Sequence, residues 1–499
     1  MYGLLLSAAV LIYLFIRARG ERLPMPTRAP AQLGVVAGPP GGHDASLMLH
    51  ILLALSAVIA FARAGGMLFR LLRQPAVVGE IVAGIMLGPS LLGHVWPSAF
   101  AYLLPPTVAP FLDVLAQLAI ILYMFLVGLE FDAGLGARHG QAAVAISHAS
   151  IVTPFLLGAL LALLLYPQVA AAGSPFTGFS LFMGVSMSVT AFPVLGRILA
   201  DLGIQKTPLG MTALTCAAVD DVTAWCLLAL VVGVVEAHGT GSLITAAMAV
   251  AYIVLMITLV RPAMVRLTLR QENIGRLTQG MMAIVFVLLL LSALTTQLIG
   301  IHAMFGGFAL GAVIPSESKL AHEMRDRLED VLVVALLPTF FAFTGLRTRI
   351  GLVKGLHEWL LCGLIIAVAS VGKFGGSFVA ARLTGLGWRD ASALGVLMNT
   401  RGMAELIVLN IGLQLRVINP RVFAMLVIMS LATTLATTPV LHLIMGHKAA
   451  AAQPERGIWK LAWLRLNLHK QVELHRLRSE VSPLEKLKPD IDTNPNFYG

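Results

Sequence analysis

The stretch from Leu209 to Val235 is apolar for long enough to cross a bilayer, and it carries two adjacent carboxylates, Asp220 and Asp221, near its middle. In hydrocarbon every backbone N–H and C=O must be satisfied by the protein, so only helices and closed barrels span a membrane. A helix needs about 20 apolar residues to do so, a barrel strand only about ten. From Ser46 onward thirteen hydrophobic segments follow, at approximately 46–63, 76–92, 108–129, 141–166, 175–200, 209–235, 241–261, 277–297, 300–315, 329–346, 356–382, 389–413 and 418–445, each near helical spanning length. The chain is 58% apolar and 12% charged, with a mean hydropathy of +0.86, whereas a soluble domain carries about 25% charged residues. It reads as an all-α polytopic membrane protein with about thirteen transmembrane helices.

The connecting loops alternate in charge. Those holding Arg63/Arg70/Arg73, Arg138, Arg197/Lys206, Arg261/Arg266/Arg270/Arg276, Lys319/Arg325/Arg327 and Arg382/Arg389 are basic, and most of the others carry no Lys or Arg. Retention of positive charge on the cytoplasmic side then starts Ser46 outside and leaves the tail after His447 inside, in the cell (inner) membrane. Two loops, with Arg347/Arg349/Lys354 and Arg416/Arg421, run against the pattern. The same rule accounts for the net charge of +10 without any nucleic-acid partner. The three cysteines lie in apolar segments and point neither to a disulfide framework nor to a thiolate metal site. No phosphate-cradling Gly loop opens a helix, so an ATP-driven pump is disfavoured, and neither a cofactor nor an enzymatic activity is expected.

The sequence divides into an N-terminal part, 1–45, a membrane domain, 46–445, and a basic cytoplasmic tail, 446–499. Residues 2–16 form an apolar run followed by Arg17, Arg19 and Arg22 and then a Pro/Gly-rich linker; the run reads equally as an extra helix, an anchor or a poor signal. The tail, with an apolar-periodic piece at Ile458–Leu466, is read as an amphipathic stretch on the inner leaflet and is too short for a nucleotide-sensing domain.

The chain also resembles itself. Ala83–Gly88 matches Gly306–Gly311, Met124–Leu129 matches Phe341–Leu346, and Gly184–Met187 matches Gly395–Met398, in the same order. An odd number of spans separates the two halves, which makes the repeat inverted, the arrangement that sets a substrate site at mid-bilayer. After the third match, one half reads Ser188-Val189-Thr190-Ala191-Phe192-Pro193 and the other Asn399-Thr400-Arg401-Gly402-Met403-Ala404-Glu405. Pro193 removes a helix hydrogen bond and Gly402 is a weak helix former, so both spans are expected to break. Ser188, Thr190, Pro193, Asn399 and Thr400 would line the breaks. Opposed helix ends need charge compensation, which Arg401 and Glu405, four apart and on one helix face, are placed to give.

A charge at bilayer depth is unfavourable by roughly 2.5–3.5 kcal/mol and by default marks a functional site. Besides the two aspartates, Lys373 sits mid-span in 356–382, too far from either end to reach the interface, between glycines that allow close helix approach. It is the expected partner of Asp220. His148, Thr215 and His302 are read as satisfied interior residues.

Gly79-Glu80-Ile81-Val82-Ala83-Gly84-Ile85-Met86-Leu87-Gly88-Pro89, Ser188 to Pro193, Ala218-Val219-Asp220-Asp221-Val222, Gly372-Lys373, and Thr400-Arg401-Gly402 with Glu405 together resemble the monovalent cation:proton antiporter-2 family, over approximately 46–445. That family holds sodium/proton antiporters, Kef-type potassium efflux systems and plant cation/proton exchangers. The resemblance implies a sodium/proton antiporter fold with crossing broken helices, a core that moves as an elevator against a dimerisation bundle, and a homodimer. It implies a cation/proton-binding pair, Asp221 and Asp220, in which Asp221 binds the monovalent cation, Na+ or K+, or a proton, while Asp220 pairs with Lys373, a pair that can break and carry an extra proton. Adjacent acids imply electrogenic exchange. A K+-selective efflux antiporter and a passive cation channel are the competing expectations.

Overall fold

The computed structural model describes residues 2–24, 45–72, 74–130, 140–170, 173–205, 207–236, 241–274 and 278–445; the linker and tail expectations fall outside them. Every regular element among the described residues is helical. Ten helices are long and apolar enough to cross a membrane, and an eleventh span results if Trp388–Met398 and Met403–Gln414, bent by 44°, are taken together. Two shorter apolar helices, Phe176–Ser188 and Ala303–Val313, lie on two more of the expected segments.

In chain order the main helices are α1 (Tyr2–Gly20), α2 (Ala45–Leu71), α3 (Ala76–Leu87), α4 (Ala109–Glu130), α5 (Gly140–Val169), α6 (Phe176–Ser188), α7 (Phe192–Asp201) and α8 (Pro208–Glu236). Next come α9 (Gly241–Leu255), α10 (Gln279–Ile299), α11 (Ala303–Val313), α12 (Lys319–Val331), α13 (Gly355–Leu383), α14 (Trp388–Met398), α15 (Met403–Gln414) and α16 (Pro420–Met445). The segment expected at 76–92 stops being regular at Gly88, because the residue before Pro89 is disfavoured in helical backbone. Two helices run on through a π-helical turn: α9 through Met256–Val260 into Arg261–Ile274, and α12 through Leu332–Leu336 into Leu337–Arg347. One residue intervenes between each turn and a proline, Pro262 or Pro338, whose ring would clash with the carbonyl four residues back. The wider turn relieves that clash.

The helices pack as two neighbourhoods. In one, α3 packs on α2 and on the second part of α12, while α4 packs on α11, which in turn packs on α10. In the other, α5 packs on α6, α8 and α13, and α13 packs on α14 and α16. Glycine sets the closest approaches. A Cβ on Gly84 would lie 2.5 Å from the Phe341 carbonyl oxygen, and one on Gly345 only 2.0 Å from that of Gly84. At the α4–α11 crossing, Gly128 and Gly311 stand equally close to the opposite backbone, 2.3 Å from Phe308 O and Phe125 O.

Helix α1 lies against α5 and α6. The Tyr13 ring is 5.8 Å from that of Phe155, its hydroxyl is 3.2 Å from Ser180 Oγ, and Thr177 donates to Glu21 at 2.9 Å. Two basic residues that run against the loop alternation have acidic partners: Arg421 is 2.9 Å from Glu358, and Arg347 is 3.8 Å from Asp113. Pairing lowers the net charge that these two arginines present.

Candidate functional site

Two helix breaks face each other. Between α6 and α7 the chain is extended at Val189 and Ala191, and between α14 and α15 it is irregular from Asn399 to Gly402. The breaks are joined by backbone: Ala191 N–H donates to the Thr400 carbonyl at 3.0 Å. Pro193 stands in the first turn of α7, where its missing N–H leaves no intrahelical bond unmade.

A broken helix exposes carbonyls at one end and N–H groups at the other. At the end of α6 those carbonyls are met by cations. Arg401 donates to Ser186 O and Met187 O, both at 2.8 Å, and Lys373 Nζ to Ser188 O at 2.5 Å. Two buried positive charges therefore close the negative end of one helix dipole. At the opposite side of the break, the N–H of Phe192 at the start of α7 is a hydrogen-bond partner of the Asp221 carboxyl. The second break repeats the logic, with Glu405 in the first turn of α15. Arg401 is not on that helix as its spacing had suggested; it precedes Met403, in the break. It still reaches Glu405 Oε2, at 3.3 Å, and both are buried. Its own N–H and C=O are held by the Thr434 hydroxyl of α16 at 2.9 and 2.8 Å.

The adjacent aspartates of α8 stand in different surroundings. Asp220 is fully buried and accepts from four donors: Ser147 at 2.6 Å on Oδ1, and Ser150 at 2.7 Å, Thr190 at 2.7 Å and Lys373 at 2.8 Å on Oδ2. Lys373, also fully buried, places its ammonium on Asp220, Ser150 Oγ (3.1 Å) and Ser188 O. Three acceptors match its three protons. Gly372 and Gly376 make this possible by bringing α13 against Pro154 and Ala149 of α5. Asp221 is nearly as buried, yet its Oδ1 has no hydrogen-bond partner.

The other expected lining residues divide. Thr190 faces the site, its one proton shared between Asp220 and the Met398 carbonyl at 3.1 Å. The Ser188 hydroxyl does not face it: it donates to Gly184 O and Ile151 O, at 2.7 and 3.0 Å, so Ser188 contributes its carbonyl instead. The Thr400 hydroxyl is likewise spent on Leu397 O at 2.7 Å. Asn399 reaches Ser370 only at 3.5 Å, and its Oδ1 has no partner. His302 caps α11 and also meets the Gln414 side chain, His148 contacts the Val144 carbonyl, and Thr215 donates to Met211 O. Ser147 and Ser150 were not foreseen; their one signal is two hydroxyls three residues apart on one face of a mostly apolar helix. Among the described residues no cluster of His, Cys, Asp and Glu has the makeup of a polydentate metal site.

Against known proteins, the profile of the transmembrane sodium/hydrogen exchanger family matches residues 54–445. The Na(+)/H(+) antiporter NhaS4 of Synechocystis sp. is 43% identical over 399 residues, covering 80% of this chain and 97% of that protein. The K(+)/H(+) antiporter 1 of Saccharomyces cerevisiae is 34% identical over 75% of this chain, which spans only 44% of its length. The structure of the sodium proton antiporter MjNhaP1 from Methanocaldococcus jannaschii aligns with a TM-score of 0.53 over 82% of this chain and 98% of that one, at 12% identity, a likeness of fold alone. With this match over most of its length and this degree of identity to NhaS4, the chain belongs to the sodium/hydrogen exchanger family of monovalent cation:proton antiporters.

Proposed function

We propose that this chain is a secondary antiporter that exchanges a monovalent cation, Na+ or K+, for protons across the cell membrane, with Asp221 as the group that holds one or the other. The observation that carries this reading is the contrast between the two acids: Asp220 is bound by four donors, while Asp221 leaves a buried oxygen unpartnered beside two broken helices. A carboxylate in that position takes a proton or a hard cation, and binding of one excludes the other because a site holding both would be over-neutralised. Freed carbonyls and hydroxyls at helix breaks are the oxygen ligands that suit such a cation. Asp220 and Lys373 form the paired charges beside it.

Alternating access is an elevator movement of the neighbourhood built on α5, α6, α8 and α13–α16 against the one built on α2–α4 and α10–α12, the dimerisation bundle of a homodimer. The thirteen expected segments are its spans, within a membrane domain over 46–445, with the C-terminus cytoplasmic. An inverted repeat is supported by the packing: α3 lies on the second part of α12, α4 lies on α11, and the repeat exchanges these two contacts. The exchange is electrogenic: Asp221 trades one proton for one cation, and the Asp220–Lys373 pair breaks as protons re-enter and carries a second. The relatives are named for sodium in one case and potassium in another, so both cations stand.

The test is proton flux in everted membrane vesicles against sodium, potassium, lithium and rubidium, with Asp221→Asn alongside. The antiporter reading requires cation-driven proton movement that Asp221→Asn abolishes while the protein still inserts. Full activity in that variant would sink the assignment; cation flux uncoupled from protons would mean a channel, and a response to potassium alone a K+-selective efflux antiporter.

A further inference from the structure

We infer that Ser147 and Ser150 of α5 are positioning residues that hold the Asp220 carboxylate turned toward Lys373, leaving Asp221 as the acid of the pair with an open oxygen. The inference rests on the antiport reading and assigns a role to two residues that this reading does not need. Together with Thr190 they surround both carboxylate oxygens: Ser147 takes Oδ1 at 2.6 Å, while Ser150 and Thr190 share Oδ2 at 2.7 Å each. Both serines are fully buried, so water does not compete for these bonds.

The three donors differ in kind. Thr190 stands at a helix break and has a second acceptor, the Met398 carbonyl, so its bond to Asp220 is dispensable when the breaks rearrange. Ser147 and Ser150 are on the continuous helix α5, three residues apart, and move with it as a unit. Ser150 also accepts from Lys373 at 3.1 Å while donating to Asp220, and so fixes the ammonium and the carboxylate in one geometry. Hydrogen bonds to a carboxylate favour its charged form. The charged groups around Asp220 are Lys373 of α13, its neighbour Asp221, and Arg401 beyond Lys373; Cys216 lies one turn before it on α8. Among the described residues Lys373 is the one cation in direct contact. If Lys373 alone held the carboxylate, every movement of α13 would let Asp220 turn; the two serines hold it from a second helix, α5.

The experiment is the pH profile of cation-driven proton flux in everted vesicles for Ser147→Ala, Ser150→Ala and the double variant, with Asp221→Asn as the reference. A serine-to-alanine change removes one oxygen and keeps the packing. Loss of a hydrogen bond to a buried charge is worth about tenfold in proton concentration, so the acid limb of the double variant moves toward higher pH by about one unit or more. Ser147→Thr and Ser150→Thr, which retain the donor, return the acid limb toward wild type. An acid limb unchanged in the double variant overturns the inference; if the double variant does not insert, unchanged limbs in both single variants overturn it equally. Activity in Asp221→Asn overturns the antiport assignment instead, so the two failures are told apart.

Discussion

Arg401 and Ser186 are 215 residues apart in the chain, and the guanidinium of the first donates to the carbonyl of the second at 2.8 Å. One broken helix is thus closed by a side chain from the break in the other. The same guanidinium holds Met187 O, so its planar fork spans two successive carbonyls, a geometry an ammonium cannot reproduce. Arg401→Gln is expected to cost about 3–5 kcal/mol, the range for removing one member of a buried charge network, and Arg401→Lys a large part of it. Thermal unfolding in detergent, followed by size-exclusion, measures this. Wild-type stability in Arg401→Gln would mean that the carbonyls at the end of α6 find other donors.

A second prediction concerns packing between the halves of the chain. At Gly84 and Gly345 a side chain would enter the opposite backbone, at 2.5 Å and 2.0 Å. Backbone cannot rotate away as a side chain can, so Gly345→Ala is expected to separate α3 from α12 and to lower the melting temperature by several degrees. Gly363 in α13 has nothing within 4 Å of its would-be Cβ, and Gly363→Ala removes the intrinsic helix penalty of glycine, about 1 kcal/mol. Equal effects from the two substitutions would contradict the close crossing.

How much of this was legible beforehand depends on which force decides each feature. The spans could be read because lipid demands long apolar helices, and Asp220, Asp221, Lys373, Arg401 and Glu405 because charge in hydrocarbon is conspicuous. The breaks were legible from Pro193 and Gly402. Ser147 and Ser150 were not, since serine inside a membrane helix more often bonds to its own backbone, as Ser377 does to the Lys373 carbonyl at 2.8 Å. Nor was it legible that Ser188 would turn its carbonyl to Lys373, because that orientation depends on the residue at which α6 ends. Arg401 was placed on the helix of Glu405 by spacing alone, and the break moved it off.

A third prediction follows from the contact of Asp220 with Lys373 at 2.8 Å, both fully buried. Asp220→Asn leaves an ammonium buried with only neutral acceptors, and Lys373→Met leaves a carboxylate with three hydroxyl donors. The first is expected to be the more destabilising of the two, costing about 3–5 kcal/mol. The double variant Asp220→Asn/Lys373→Met removes both charges and should recover a large share of the loss. A double-mutant cycle on thermal stability resolves this, and additive effects would show that the pair is not coupled.

The last prediction concerns pH and concerns Asp221 alone. If its carboxyl holds either a proton or a cation, each proton bound removes one cation site, and acidification acts as competitive inhibition. The cation concentration for half-maximal exchange then rises as the pH falls, approaching tenfold per unit once most sites are protonated, while the rate at saturating cation stays constant over the same interval. The sign is fixed by the competition: low pH opposes cation binding and high cation restores it. Vesicle flux measured over a matrix of pH and sodium or potassium concentrations gives both quantities. A half-maximal concentration independent of pH, with a rate at saturating cation that falls on acidification, would mean that the proton acts at a separate group, and Glu405, with one buried oxygen unpartnered, is where that group would next be sought.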